Sequence, residues 1–335
     1  MKKPFVSVII PFCNEEARIK DCLNTVTKLS YPNYELIFVD DGSTDNGPKI
    51  VGEYATDKKL IVAKGPHQGV ASARNIGIKH ANGEILVFTD ADCIFDEGWL
   101  NSLVEPLLKD PKVGVSGGPD KTPPTSSLIE KCMDFIMTSL ITTGGLRGGK
   151  IRLGNYFPRG CNMAVRREIL DKVGVFDPRF RRNRGEEAEL EERIKKEGYK
   201  LIYTAEALVW HRRRPSIKKF WKQSFASGYA YIIRILYTKR FSLIHFLPSL
   251  LILSLFFSLV ASFFYESALK IFLVIGGGYT LFFLLQAFIA TIKLRKVFAF
   301  PIVIFLVNLT YLGYGLGLLY KVLLLVKKKE REVSG

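Results

Sequence analysis

Two apolar patterns divide this chain. From residue 4 to about 120, short β-branched-rich runs recur at residues 6–10, 35–39, 60–63, 85–89 and 113–116. Between them, residues 16–29, 44–56, 70–82 and 99–109 carry apolar positions at helical spacing with polar outer faces. Strands alternating with helices of that length predict βαβ units and an α/β fold with a mostly parallel, doubly wound sheet flanked by helices. Ligands bind such sheets at the carboxyl ends of the strands. Residues 126–142 and 186–197 read as further helices. Pro123-Pro124 and the Gly-rich stretch 143–149 read as loops, the second a candidate mobile flap. Beyond residue 240 the alternation gives way to long runs, at 243–265, 271–292 and 297–326, that are almost free of formal charge and long enough to span a bilayer.

Charge sharpens that division. The 335 residues hold 48 Lys+Arg against 32 Asp+Glu, and residues 241–335 contribute only nine and three of these. The apolar fraction excludes a disordered chain, and the last runs exclude a fully water-soluble one. The expected organisation is a soluble domain over 1–214, an amphipathic helix over 215–240, a transmembrane region over 241–326 and a basic tail over 327–335. In the helix, Phe220, Trp221, Phe225 and Tyr229 interleave with Lys218, Lys219, Lys222 and Arg234, which suits the membrane interface; a solvent-facing basic helix is the plainer alternative.

Positive charge places Lys239, Arg240, Lys293, Arg295 and Lys296 in the cytoplasm, which makes a hairpin of the first two spans. A third span then puts Lys327, Lys328, Lys329 and Arg331 outside, so the span count and the side of the tail stay open. The apolar run at 5–10 stops at Pro11, too short for a signal peptide. The expectation is a multi-pass cell-membrane protein with a cytoplasmic soluble domain. Cys13, Cys22, Cys93, Cys132 and Cys161 are irregularly spaced with no CxxC, so neither a disulfide framework nor a zinc site is indicated and buried free thiols are expected.

Two acidic groups fall at predicted strand ends. Asp40-Asp41-Gly42-Ser43-Thr44-Asp45 reads either as a turn and helix cap or as carboxylates that accept hydrogen bonds from a nucleotide base or ribose. In Asp90-Ala91-Asp92, two carboxylates follow the buried run Ile85-Leu86-Val87-Phe88 with no Lys or Arg adjacent in sequence. They repel unless a cation joins them, and hard oxygen ligands favour Mg²⁺ or Mn²⁺ completed by phosphate and water.

Ser7-Val8-Ile9-Ile10-Pro11 with Asn14-Glu15, Val39 to Asp45, Ala73-Arg74-Asn75, Asp90-Ala91-Asp92, Asn162 to Glu168, Gly174-Val175-Phe176-Asp177 and Gly185-Glu186-Glu187 occur in an order that resembles family 2 glycosyltransferases of GT-A fold, over roughly residues 5–212. The resemblance implies a metal-dependent transferase using a UDP- or GDP-sugar. It places nucleotide-sugar contacts at Pro11, Asn14, Glu15, Asp40, Asp41, Arg74, Asp90 and Ala91, with Asp41 favoured over Asp40. Arg74 would touch phosphate, or else organise its loop through an ion pair. Asp90, Asp92 and His211 would hold Mn²⁺ or Mg²⁺.

The family's Glu-Asp pair stands here as Glu186-Glu187. The second corresponds to the catalytic base, and the change to Glu leaves the choice between the two open. One base with in-line displacement implies inversion at the anomeric carbon. Arg212, Arg213 and Arg214 suit a diphosphate, a lipid headgroup or a solvated turn. The Gln-x-x-Arg-Trp signature of processive synthases is absent at Trp221-Lys222-Gln223-Ser224. Addition of one sugar to a lipid-linked glycan is therefore expected, with polyprenyl phosphate as the alternative acceptor.

Rival classes fit less well. The Gly-rich loops of nucleotidyltransferases and Rossmann dehydrogenases are missing after the first strand. The basic excess lies near the apolar spans, so no nucleic-acid partner is expected, and spans with almost no ionisable residues disfavour a transporter. An inactive transferase-like membrane scaffold is the remaining non-enzyme reading. Oligomeric state is not legible.

Overall fold

A computed structural model describes residues 3–55, 59–139, 142, 158–180, 185–212, 216–239 and 241–333. It divides into two compact units. One comprises Met1–Ser126, Met137–Arg182 and Glu186–Arg213; the other comprises Ser127–Ile136, Asn183–Gly185 and Arg214–Gly335.

The strands are β1 (Val6–Phe12), β2 (Tyr34–Asp40), β3 (Leu60–Lys64), β4 (Ile85–Thr89), β5 (Cys93–Phe95), β6 (Val113–Gly117), β7 (Asp120–Lys121), β8 (Asn162–Arg166), β9 (Lys200–Tyr203) and β10 (Val209–His211). Seven form one sheet in the order β3-β2-β1-β4-β8-β6-β9, and β5-β10-β7 form a second. The large sheet is mostly parallel, as expected. Its exception is β8, which the βαβ pattern did not foresee and which runs antiparallel between β4 and β6.

The central strands are apolar on both faces because helices cover both. Val8, Ile10, Leu36 and Phe38 point into one core layer with Trp99 and Leu103. Ile9, Ile37, Val39 and Phe88 point into the other with Phe176. The register of β1 on β2 runs from Val6 opposite Tyr34 to Phe12 opposite Asp40. The carboxyl ends of β2, β1 and β4 therefore open onto one edge, where the acidic motifs begin.

The helices α1 (Ile19–Val26), α2 (Gly47–Tyr54) and α3 (Val70–His80) are shorter than predicted, while α4 (Trp99–Lys109) matches. The α2 start moves because Asp45 turns inward: Oδ1 accepts the Gly47 N–H at 3.0 Å and Oδ2 the Glu16 N–H at 2.9 Å. That leaves residues 44–46 as a turn. Next come α5 (Leu128–Thr138), within the predicted 126–142, then α6 (Arg167–Val173) and α7 (Glu186–Lys196). The expected flap at 143–149 and Arg213, Arg214 and Arg240 lie outside the described residues.

The second unit contains α8 (Ile217–Thr238), α9 (Leu247–Ser262), α10 (Glu266–Leu294) and α11 (Ala299–Val333). The expected span at 243–265 starts with a 3₁₀ turn, Leu243–Phe246, and ends at Ser262. The second is longer than expected, reaching back to Glu266, whose carboxylate pairs with Lys270 at 3.0 Å. Three segments, Leu243–Ser262, Glu266–Leu294 and Ala299–Val326, are long and apolar enough to cross a membrane. Phe257, Val274 and Leu281 lie exposed on them, as lipid-facing positions do.

The aromatic-basic helix α8 lies along α11. A Cβ on Gly228 would collide with the Tyr314 carbonyl, and one on Gly317 with the Phe225 carbonyl. The two backbones thus touch through small residues, as in membrane helix pairs. The sequence pattern pointed to a helix resting on a surface; within its own unit it is one partner of a packed pair.

Candidate active site

The nucleotide end of the expected site is built by hydrogen bonds to backbone. Asn14, at φ 56°, accepts the Thr44 N–H at 2.8 Å on its side-chain oxygen, tying the β1 end to the loop after β2. Asp40 accepts the Ser43 N–H at 2.8 Å. Asp41 uses both oxygens on loop amides, Gln68 at 3.1 Å and Gly69 at 2.7 Å. The Asp41 carboxylate therefore shapes the loop entering α3, and Asp40 keeps an oxygen without a partner among the described residues. Gly42, at φ 81°, must be glycine twice over, since a Cβ there would sit 2.9 Å from the His67 side chain. Glu15 is buried against Arg18 at 3.5 Å, and Pro11 and Ala91 are buried with no polar side-chain atom to offer.

After β4 the two carboxylates part company. Asp92 Oδ1 lies 3.1 Å from His211 Nε2, because β5 and β10 pair antiparallel with His211 opposite Cys93. Burial disfavours charge on His211, but Asp92, Asp120 and Cys161 together outweigh it and hold the imidazolium well above the usual histidine range. Burial likewise opposes ionisation of Asp92, but His211, with Arg18 and a backbone amide, holds the carboxyl below its ordinary value. Asp90 is the more open of the two, its side chain 33% exposed.

Arg74 joins the groups that sequence left apart. Its guanidinium is buried and lies 3.4 Å from Asp90, 3.1 Å from Glu186 and 3.7 Å from Glu187. The cation absent from the sequence neighbourhood of Asp90 is thus supplied by α3. The ion-pair reading of Arg74 describes these contacts. Glu186 is buried, whereas the Glu187 side chain is 21% exposed and accepts the Gly160 N–H at 3.2 Å. Burial would raise the Glu187 carboxyl, but Arg74 and Arg159 together hold it below the ordinary range, so it is ionised at neutral pH.

Sequence reading missed several supports. Gly160 admits the Arg74 guanidinium where a Cβ would strike it. Asn162, fully buried, accepts the Trp99 Nε1–H at 3.0 Å and donates to the Pro119 and Ala207 carbonyls at 3.1 and 2.6 Å. It thereby fixes the segments carrying Asp120 and His211. Asn162 stood inside a recognised motif, but nothing in the string showed three distant partners.

A family model for glycosyl transferase family 2 matches residues 7–174, half of the chain. The chain belongs to glycosyl transferase family 2. It is an enzyme of the transferase class, a glycosyltransferase of GT-A fold. It is 31% identical over 216 residues to the glycosyltransferase AglE of Haloferax volcanii, covering 63% of this chain and 68% of that one. It is 27% identical over 220 residues to a poly-β-1,6-N-acetyl-D-glucosamine synthase of Staphylococcus epidermidis. That match covers 65% of this glycosyltransferase but only 52% of the synthase. Among solved structures, the Pyrobaculum calidifontis mannosyltransferase PcManGT, in complex with GDP-Man and Mn²⁺, aligns at TM-score 0.54 and 23% identity over 70% of this chain and 65% of that one. GalNAc-T7 with UDP, GalNAc and Mn²⁺ aligns at TM-score 0.50 and 21% identity, over 68% and 50%. These two likenesses confirm the fold.

Proposed function

We propose that this glycosyltransferase is anchored in the cell membrane by its apolar helices. It moves one sugar, with inversion, from a UDP- or GDP-sugar to a lipid-linked glycan at the cytoplasmic face. The observation that carries the reading is the Arg74 cluster, in which one buried cation holds Asp90 beside Glu186 and Glu187. A donor-side carboxylate and the candidate bases thus share one pocket edge. The complexes of the two fold neighbours with Mn²⁺ and a nucleotide or nucleotide sugar make this donor class the first to test.

The residues fit a divalent ion. Asp92 Oδ1 and His211 Nε2 stand 3.1 Å apart, with Asp90 partly open beside them, and hard oxygens plus one imidazole suit Mn²⁺ or Mg²⁺. Asp90, Asp92 and His211 would hold the ion, which when bound supplies positive charge to the departing diphosphate. Asp40 offers its open oxygen to the base or ribose, while Asn14 and Asp41 keep the surrounding loops in place. Pro11, Glu15 and Ala91 shape the wall of the nucleotide pocket.

Glu187 is assigned as base: it is ionised and more accessible than Glu186, which Arg74 engages most closely. It takes the acceptor hydroxyl proton as that oxygen attacks the anomeric carbon. A single base acting opposite the leaving group turns an α-linked donor into a β-linked product.

The test is a screen of radiolabelled UDP-, GDP- and dTDP-sugars with the full chain in detergent and a membrane lipid extract, with and without EDTA. One donor is expected to label lipid, EDTA to stop it, and NMR of the product to show inversion. Labelling of polyprenyl phosphate itself would replace the acceptor. Donor binding without transfer or hydrolysis would favour a scaffold, and retained configuration would remove the single-base mechanism.

A further inference from the structure

A second set of metal-ligating atoms lies behind His211. The three-stranded sheet places Cys93 opposite His211 and Asp120 opposite Val209, which shares a strand face with His211. Cys161, just before β8, is held in place by Thr89, whose hydroxyl donates to the Cys161 carbonyl at 2.8 Å. The donor atoms of Asp120, Cys161 and His211 lie within 4.8 Å of one another, as do those of Asp92, Cys93 and His211. The Cys93 and Cys161 thiols interact with each other, and Cys161 also meets His211.

The two ring nitrogens of His211 face different chemistry. Nε2 faces Asp92, while Nδ1 faces Asp120 Oδ2 at 3.7 Å and, though buried, makes no hydrogen bond among the described residues. That distance is too long for a hydrogen bond. It approaches the edge between two ligands on one tetrahedral ion with bonds of about 2.0–2.3 Å.

We propose that Asp120, Cys161 and Nδ1 of His211, with the Cys93 thiol beside Cys161 as fourth donor, form a site for a soft divalent ion of the Zn²⁺ class, separate from the carboxylate site for the donor's ion. Thiolates select zinc, whereas the oxygen-rich side of His211 suits Mn²⁺ or Mg²⁺. On binding, the two thiol protons and the Nδ1 proton of the His211 imidazolium pass to solvent, and the ion takes two thiolates, one carboxylate and a neutral imidazole. A ring bound through Nδ1 keeps its proton on Nε2 and donates it to Asp92. Zinc therefore draws His211 away from the donor site and weakens Mn²⁺ binding there. This last consequence rests on His211 as a donor-site ligand; the zinc site itself does not.

The test uses the full chain in detergent, stripped of metal, kept reduced with a phosphine and titrated with Co²⁺ as a spectroscopic stand-in for zinc. Thiolate-to-metal charge-transfer absorption should saturate at one equivalent and disappear when Zn²⁺ is added. Cys161→Ser and Cys93→Ser should each lower it, the double variant should abolish it, and each should weaken zinc by more than the about 10–100-fold of an outer-shell change. Asp90→Asn should leave it intact. Circular dichroism establishes that the variants fold, with Cys161→Ala and Cys93→Ala replacing any serine variant that does not. No thiolate absorption, or absorption unchanged in the cysteine variants, would overturn the proposal. Loss in Asp90→Asn with undiminished absorption in both cysteine variants would do the same.

Discussion

Replacing Arg74 with methionine keeps much of the side-chain volume and removes the guanidinium that faces Asp90, Glu186 and Glu187 within 3.1–3.7 Å. Breaking a buried ion pair by deleting one partner costs about 3–5 kcal/mol. Asp90 is a third exposed, so water screens its share and the lower end, about 3 kcal/mol, is the working figure. For a domain of this size each kcal/mol shifts the melting temperature by roughly 2–4 °C, so Arg74→Met should melt about 6–12 °C lower.

The same change alters the titration. With Arg74 gone, only Arg159 and the backbone amides oppose burial at Glu187, and its carboxyl rises from its wild-type position. In the wild type, the stability contributed by ionised Glu187 is present above its unfolded pKa and is lost as pH falls through the depressed folded value. In Arg74→Met the acid limb of the pH–rate profile should therefore move upward. Differential scanning fluorimetry of the detergent-solubilised full chain and a transfer assay across pH check both arms. A melting shift under about 2 °C with an unmoved acid limb would refute the idea that Arg74 ties these carboxylates together.

Three further outcomes follow from the same geometry. Gly160→Ala puts a methyl into the Arg74 guanidinium and should cost about 1–3 kcal/mol, read as a lower melting temperature. Glu187→Gln should abolish transfer while leaving nucleotide binding by calorimetry in place; Glu186→Gln should lose less transfer and more stability, because Glu186 is the closer Arg74 partner. Gly228→Val drives a side chain into the Tyr314 carbonyl and should separate α8 from α11, seen as faster proteolysis between them with the sheet domain still folded.

The first four strands were legible because each is a short β-branched run bounded by turn residues, and the helix at Trp99–Lys109 kept its predicted limits. The strands β5, β7 and β10 were not, since two or three residues carry no readable period. Yet they bring Cys93, Asp120 and His211 together, which is why the chain showed no zinc signal by spacing. Asp90, Asp92 and His211 were found as motif positions. Their electrostatics were not, because Arg74 and Glu186 lie 112 residues apart in the chain. Asp41, expected at the nucleotide base, has its two oxygens on the Gln68 and Gly69 amides, partners that its motif position did not show.

The central claim is that Asp90, Asp92 and His211 clamp a divalent ion onto a nucleoside diphosphate. Electron paramagnetic resonance of Mn²⁺ titrated into the full chain with UDP or GDP measures this directly. One bound Mn²⁺ per chain, strengthened by nucleotide and lost in Asp92→Ala, is the predicted result. Nucleotide-dependent Mn²⁺ binding undiminished in Asp92→Ala would contradict it.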